Sequence, residues 1–97
     1  MYIRVILMFK ILCFEWDAGN MHKPLRHKVS LEEAEQVFWN GPLFKNTRED
    51  RYLALGVADN GRYLVVVFTY RAGTARIITA RSMNKYERQY YLRQRGE

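Results

Sequence analysis

The chain is poor in the residues that build cofactor sites. It has a single cysteine, Cys13, so no disulfide can close within it and no cysteine-based zinc site can form from one copy. The reducing cytosol is therefore the expected location. Its two histidines, His22 and His27, stand five positions apart, not at the i, i+4 spacing of helical zinc ligands, which argues against a metal site. There is no P-loop, no GxGxxG and no paired-cysteine run, and no cofactor is implied. No apolar run is long enough to span a membrane. The nearest, Tyr2 to Phe14, is interrupted by Arg4 and Lys10 and lacks the small-residue cleavage pattern of a secretory signal. A long basic amphipathic helix is missing too, so no membrane partner is expected. Acids are outnumbered, 10 Asp+Glu against 16 Lys+Arg, for a net charge of +6 over 97 residues. A small protein with that balance favours anionic partners, nucleic acid among them.

What is present is a β-meander. RYLALGVAD, GRYLVVVFTYR and TARIITAR, from Arg51 to Arg81, read as three consecutive antiparallel strands. Asn60-Gly61 between apolar runs predicts a two-residue type I′ hairpin. That turn would pair Val57 with Leu64, Leu55 with Val66, Leu53 with Phe68 and Arg51 with Tyr70, giving one continuous apolar face. A two-residue turn at Ala72-Gly73 would pair Tyr70 with Ala75, Thr69 with Arg76 and Leu64 with Arg81. Phe9 to Trp16 predicts a further strand joined to the meander.

Helices fill the rest. Asp17 is a candidate N-cap for a segment with Met21 and Leu25 on one face, and Pro24 belongs in its first turn or at a bend. Ser30-Leu31-Glu32-Glu33 is a capping box opening a helix whose Leu31, Ala34, Val37 and Phe38 form a core stripe. Asn40-Gly41-Pro42 ends it, and Leu43 to Lys45 suits a short strand. Asn84-Lys85-Tyr86-Glu87 is a second capping box, with Met83, Tyr86 and Tyr90 sharing a face and Arg93 and Arg95 as solvated charges near the end. The order β-α-α-(β)-β-β-β-α predicts one α+β domain over residues 1–97, with helices packed on an antiparallel sheet. Its core runs over 8–92. Met8-Phe9-Lys10 also suits a translation start, which would make Met1 to Leu7 an N-terminal extension.

The side chains left for chemistry are basic and aromatic: Trp16, Lys23, Arg26, His27, Arg51, Tyr52, Tyr70, Arg71, Arg76 and Arg81. Guanidinium groups bind phosphate bidentately and aromatic rings stack on exposed bases. Metal-free RNA cleavage would suit the set. It needs a base for the ribose 2′-hydroxyl, cations for the phosphate and an acid for the leaving oxygen. Histidine is the side chain whose unperturbed pKa lies near neutrality, and His27 is the one histidine in the set. Arg76 and Arg81, five residues apart, would lie about 16 Å from each other and on opposite sheet faces. The bland alternatives are substantial: Trp16, Tyr52 and Tyr70 suit core and sheet packing, and a histidine in a polar turn is often structural.

Phe14-Glu15-Trp16-Asp17, Gly19-Asn20 with Lys23, His27 with Val29-Ser30, Glu33-Ala34-Glu35 with Val37-Phe38, Glu49-Asp50-Arg51-Tyr52, Ala54-Leu55-Gly56, and Ile77 to Met83 with Asn84-Lys85-Glu87-Arg88 together resemble the BrnT family. These are toxins of type II toxin–antitoxin pairs. The resemblance implies a RelE-like fold, a ribonuclease activity that stops translation, and a BrnA-type antitoxin through which alone the complex meets operator DNA. It assigns motif positions to Trp16, Asp17, Lys23, His27, Arg51 and Arg81. Taken with the basic set, the catalytic candidates are His27, Arg51 and Arg81, and the RNA-binding candidates are Trp16, Lys23, Arg26, Tyr70 and Arg76. Two departures stand out: Lys28 where members often carry Gly, beside an unusual Pro24, and a short loop before Glu49-Asp50-Arg51. The alternative is a degenerate, non-catalytic copy that serves as antitoxin partner in a repressor complex.

Overall fold

The computed structural model describes residues 10–47 and 50–96. The expected extension at Met1 to Leu7, the start at Met8 and part of the loop before Arg51 lie outside them. Along the described chain run β1 (Cys13–Glu15), α1 (Lys23–Arg26), α2 (Leu31–Trp39), β2 (Leu43–Asn46), β3 (Arg51–Val57), β4 (Tyr63–Arg71), β5 (Thr74–Ser82) and α3 (Lys85–Gln94). The five strands form one sheet in the order β1-β5-β4-β3-β2. The predicted α+β class holds, but the sheet is mixed and not antiparallel throughout, because β1 pairs parallel to β5. β1 is also shorter than the predicted Phe9 to Trp16, the described part closing at Glu15.

The first hairpin corrects the predicted register by one residue. Val57 pairs with Tyr63, Leu55 with Val65, Leu53 with Val67 and Arg51 with Thr69. The turn is a three-residue loop: Ala58 N–H donates to the Arg62 carbonyl and Gly61 N–H to the Ala58 carbonyl, and only Gly61, at φ 89°, takes the left-handed conformation. That is a type I turn closed by a glycine bulge, the next commonest hairpin after the two-residue form. The slip is tolerated because both sheet faces are apolar here. Leu64, Val66 and Phe68 point into one cluster, whereas Leu53, Leu55 and Val65 point into another. The type I′ geometry appears instead at Ala72-Gly73, where φ is 49° and 86°. Tyr70–Ala75 and Thr69–Arg76 pair as predicted.

Beyond Ile77 the ladder shifts. Phe68 faces Ile77 but Val67 faces Thr79, so Ile78 is an extra residue and Leu64 meets Ser82, not Arg81. The bulge inverts the side-chain alternation. Arg76 and Arg81 therefore share a face, contrary to the simple odd-spacing rule. Asn20, only 1% exposed, braces the spot. Its amide donates to the carbonyls of Ile77 and Glu15, and its oxygen accepts from Asp17 N–H.

The first face carries α1 and α2. Ser30 and Glu33 form the predicted capping box of α2, and Ala34, Val37 and Phe38 are buried, with Leu31 only half-buried. Phe38 meets Phe68 edge-on at 4.9 Å and Phe14 at 5.1 Å. Pro24 sits in the first turn of α1, as expected. Asp17 does not cap that helix; its N-cap is His22, without a side-chain bond. Met21 and Leu25 are exposed. Lys28 and Val29 N–H donate to the carbonyls of Leu25 and Pro24, a Schellman ending that sets Lys28 at φ 59°. Lys28 therefore stands at a position where a side chain costs conformational energy and glycine would not.

The second face carries α3, capped by Asn84 and Glu87 as predicted. Its buried residue is Tyr91, which packs with Leu43, Leu55 and Val65, while Tyr86 points outward, 78% exposed. Arg95 is not a solvated tail charge; it donates to the Gly41 carbonyl at 2.7 Å.

Candidate nucleic-acid interface

The second face is finished at one end only. Leu55, Val65 and Tyr63 lie under α3. Toward the β4–β5 turn, no described helix joins the sheet. Here strand pairing sets a row across four strands: Arg51 on β3, Thr69 on β4, Arg76 on β5 and Glu15 on β1. A second row holds Arg71, Thr74 and Cys13. Alternation turns all of these side chains to the same side. A cavity of about 350 Å³ opens there, lined by Glu15, Thr69, Arg71, Thr74 and Arg76 among others.

The arginines differ in how they are held. Arg76 grips both carboxylate oxygens of Asp17 at 2.7 and 3.0 Å, with Glu15 at 3.5 Å. The Arg76 guanidinium and the Gly19 N–H keep Asp17 below the usual carboxylate range, and Asp17 in turn raises Arg76. Arg81 is clamped by Glu87 through two bonds of 2.7 Å; that contact raises Arg81 and lowers Glu87. Arg51 and Arg71, by contrast, are exposed and make no side-chain ion pair or hydrogen bond among the described residues. As diagonal neighbours across β3 and β4 they stand about 7–8 Å apart at their bases, close enough to serve one anion together.

The other sequence candidates are not gathered here. Trp16 packs against the first-face core and donates to Glu35 at 2.6 Å. Tyr70 joins the same core and donates to the Lys10 carbonyl at 2.9 Å. Lys23 and Arg26 lie on α1. His27 is exposed at the C-cap of α1, next to Lys28, whose carbonyl accepts from Arg62. Arg62 lies seven residues before Thr69, so His27 and Arg51 are about 20 Å apart along the sheet. His27, Arg51 and Arg81 thus do not meet in one cluster. Thr69 is an addition, and Arg71, in the basic set but not among the RNA-binding candidates, joins it; only the correct register, set by the three-residue turn, would have put them beside Arg51. Among the described residues no group of three or more His, Cys, Asp or Glu could hold a metal ion. No described helix is long and apolar enough to cross a membrane.

The second face thus carries a helix over one half and a bare, arginine-rich surface over the other. Comparison of the sequence with known families gives one match. Over residues 16–87 the chain matches the family described as ribonuclease toxin, BrnT, of type II toxin–antitoxin system. The match covers well over half of the molecule, and the chain belongs to the BrnT family. No curated protein matches it.

Proposed function

We propose that this protein is an endoribonuclease toxin that lays single-stranded RNA across the bare end of its second sheet face and cleaves it by metal-independent acid–base chemistry, so inhibiting translation. The observation that carries the reading is the pair Arg51 and Arg71, neither engaged by an acid among the described residues, flanking Thr69 on a member of a ribonuclease toxin family. Attack of a ribose 2′-hydroxyl crowds negative charge onto the phosphate, and preorganised guanidinium groups stabilise it. Arg76, fixed by Asp17, extends the track. His27 and Arg81 remain the acid–base and anchoring candidates that the family positions suggest. A RelE-like plan is the fold that the family resemblance implies, and a BrnA-type antitoxin is the expected neutralising partner and the link to operator DNA.

Cleavage of RNA by purified protein in the presence of a chelator tests this. Wild type is expected to cut and, on induction, to arrest growth in the cytoplasm. Arg51→Ala is expected to slow cleavage about tenfold and to weaken the arrest while keeping its circular dichroism spectrum. A strict need for added divalent metal would overturn the mechanism. The roughly 20 Å between His27 and Arg51 favours a second reading, a non-catalytic partner of the antitoxin. It is the correct one if cleavage and arrest are both absent from wild type.

A further inference from the structure

Next to the bare cationic end, on the same face, lies a groove that the phosphate track does not use. It measures about 230 Å³ and is lined by Lys45, Leu53, Leu55, Tyr86, Glu87 and Tyr90. That is below the roughly 300–1,000 Å³ of sites for drug-sized ligands, and suits one small planar group. Leu53 and Leu55 form its floor from β3. Tyr86 stands at the rim, the most exposed large hydrophobic residue among those described.

The electrostatics select the occupant. The only acid among the described residues that line the groove, Glu87, spends both oxygens on Arg81. The remaining charge is the Lys45 ammonium, 4.8 Å from the centre of the Tyr90 ring. The groove therefore offers apolar and aromatic walls under a cation, and suits a flat ring on an anionic backbone. Its position is equally suggestive. Arg51 and Leu53 are two residues apart on one face of β3, about 7 Å, a gap that a single nucleotide bridges.

We infer that this groove is a nucleobase subsite: one unpaired base of the RNA enters beside Tyr86, over Leu53, while its neighbouring phosphate rests on Arg51 and Arg71. The inference rests on the RNA reading above and adds to it a site that reads the base, not the backbone. Aromatic stacking tolerates every base but requires an unstacked one, so the subsite makes the protein selective for single strands.

Fluorescence anisotropy with a short labelled single-stranded RNA, and with the same sequence as a duplex, tests the assignment. Tyr86→Ala is expected to weaken single-strand binding about tenfold at every salt concentration. It should leave the salt dependence and the duplex affinity unchanged. Tyr86→Phe should bind like wild type, because the ring and not the hydroxyl is used. Arg51→Ala should instead flatten the slope of log affinity against log salt by about 0.7. The proposal is overturned if wild type binds RNA and Tyr86→Ala binds it equally well, whether or not the variant loses affinity for the antitoxin; such a loss would assign the groove to a protein segment. If wild type binds no RNA at all, the underlying functional reading fails with it.

Discussion

One sheet has two faces, and they have been given different tasks. The first is filled to completion: Val29, Ala34, Val37, Leu64, Val66, Phe68, Ala75, Ile77 and Ala80 show no exposed surface at all. The second is filled at one end by Tyr91 and its neighbours and ends elsewhere in arginine and threonine. Charge follows the same division. Arg62, on the helix side, is consumed by Glu33, whereas Arg51 and Arg71 have no such partner among the described residues. On the proposed reading, folding energy and recognition are drawn from opposite sides of the same strands, so a substitution can be aimed at one and leave the other nearly untouched.

Four measurements would break or sharpen that contrast. Phe68→Ala, which removes the ring that Phe38, Phe44 and Tyr52 surround, should cost about 3–5 kcal/mol in chemical denaturation. A smaller loss would mean that the first face is not where the stability resides. The double variant Arg51→Ala/Arg71→Ala should lower RNA cleavage about a hundredfold, equivalent to about 2.7 kcal/mol in the barrier. Its unfolding midpoint should move by less than about 0.5 kcal/mol. A large loss of stability would show that these arginines are structural after all.

Glu33 comes next. It accepts from Ser30 N–H, Asn60 and Arg62, tying α2 to the β3–β4 turn. The Ser30 bond first, with Asn60 and Arg62 after it, pulls its pKa from 4.5 to about 2. A carboxyl lowered on folding stabilises the protein above its unfolded value, and the benefit is lost as pH falls through the folded one. Wild type should therefore lose about 2 kcal/mol between about pH 4.5 and pH 2. Glu33→Gln should already lack that stability at neutral pH and show a flatter profile in acid. The smallest effect is a gain: Lys28→Gly relieves the left-handed backbone at φ 59° and should raise stability by up to about 1 kcal/mol, partly offset by the freedom glycine restores to the unfolded chain. Its RNA cleavage should not change.

The parts of this architecture that depend on local signals could be read directly from the chain. Both capping boxes, the stop at Asn40-Gly41-Pro42 and the first-turn place of Pro24 each rest on three or four adjacent residues. What escaped were the choices made between nearly equal alternatives. Asp59-Asn60-Gly61 supports either a two- or a three-residue turn, and with apolar side chains on both faces the hydrophobic pattern does not decide between the registers. The parallel pairing of β1 depends on Asn20 reaching two carbonyls far apart in sequence, which no window of neighbouring residues reveals. The cationic set was visible as a composition. Its division into paired and unpaired arginines was not, because Asp17 meets Arg76 across 59 positions.

Ile78 is a single surplus residue, yet it decides what everything after it sees. Were it instead paired opposite Val67 in an unbroken ladder, Ala80 would leave the oily side and Arg81 would be driven into it, with the acid that now holds its charge stranded on the far side. The last strand is thus wired through a half-step that lets one surplus residue pass without moving its later residues to the wrong side. Shortening the protein by this one amino acid should therefore keep Ala80 buried and Arg81 on Glu87, at the cost only of the local bend.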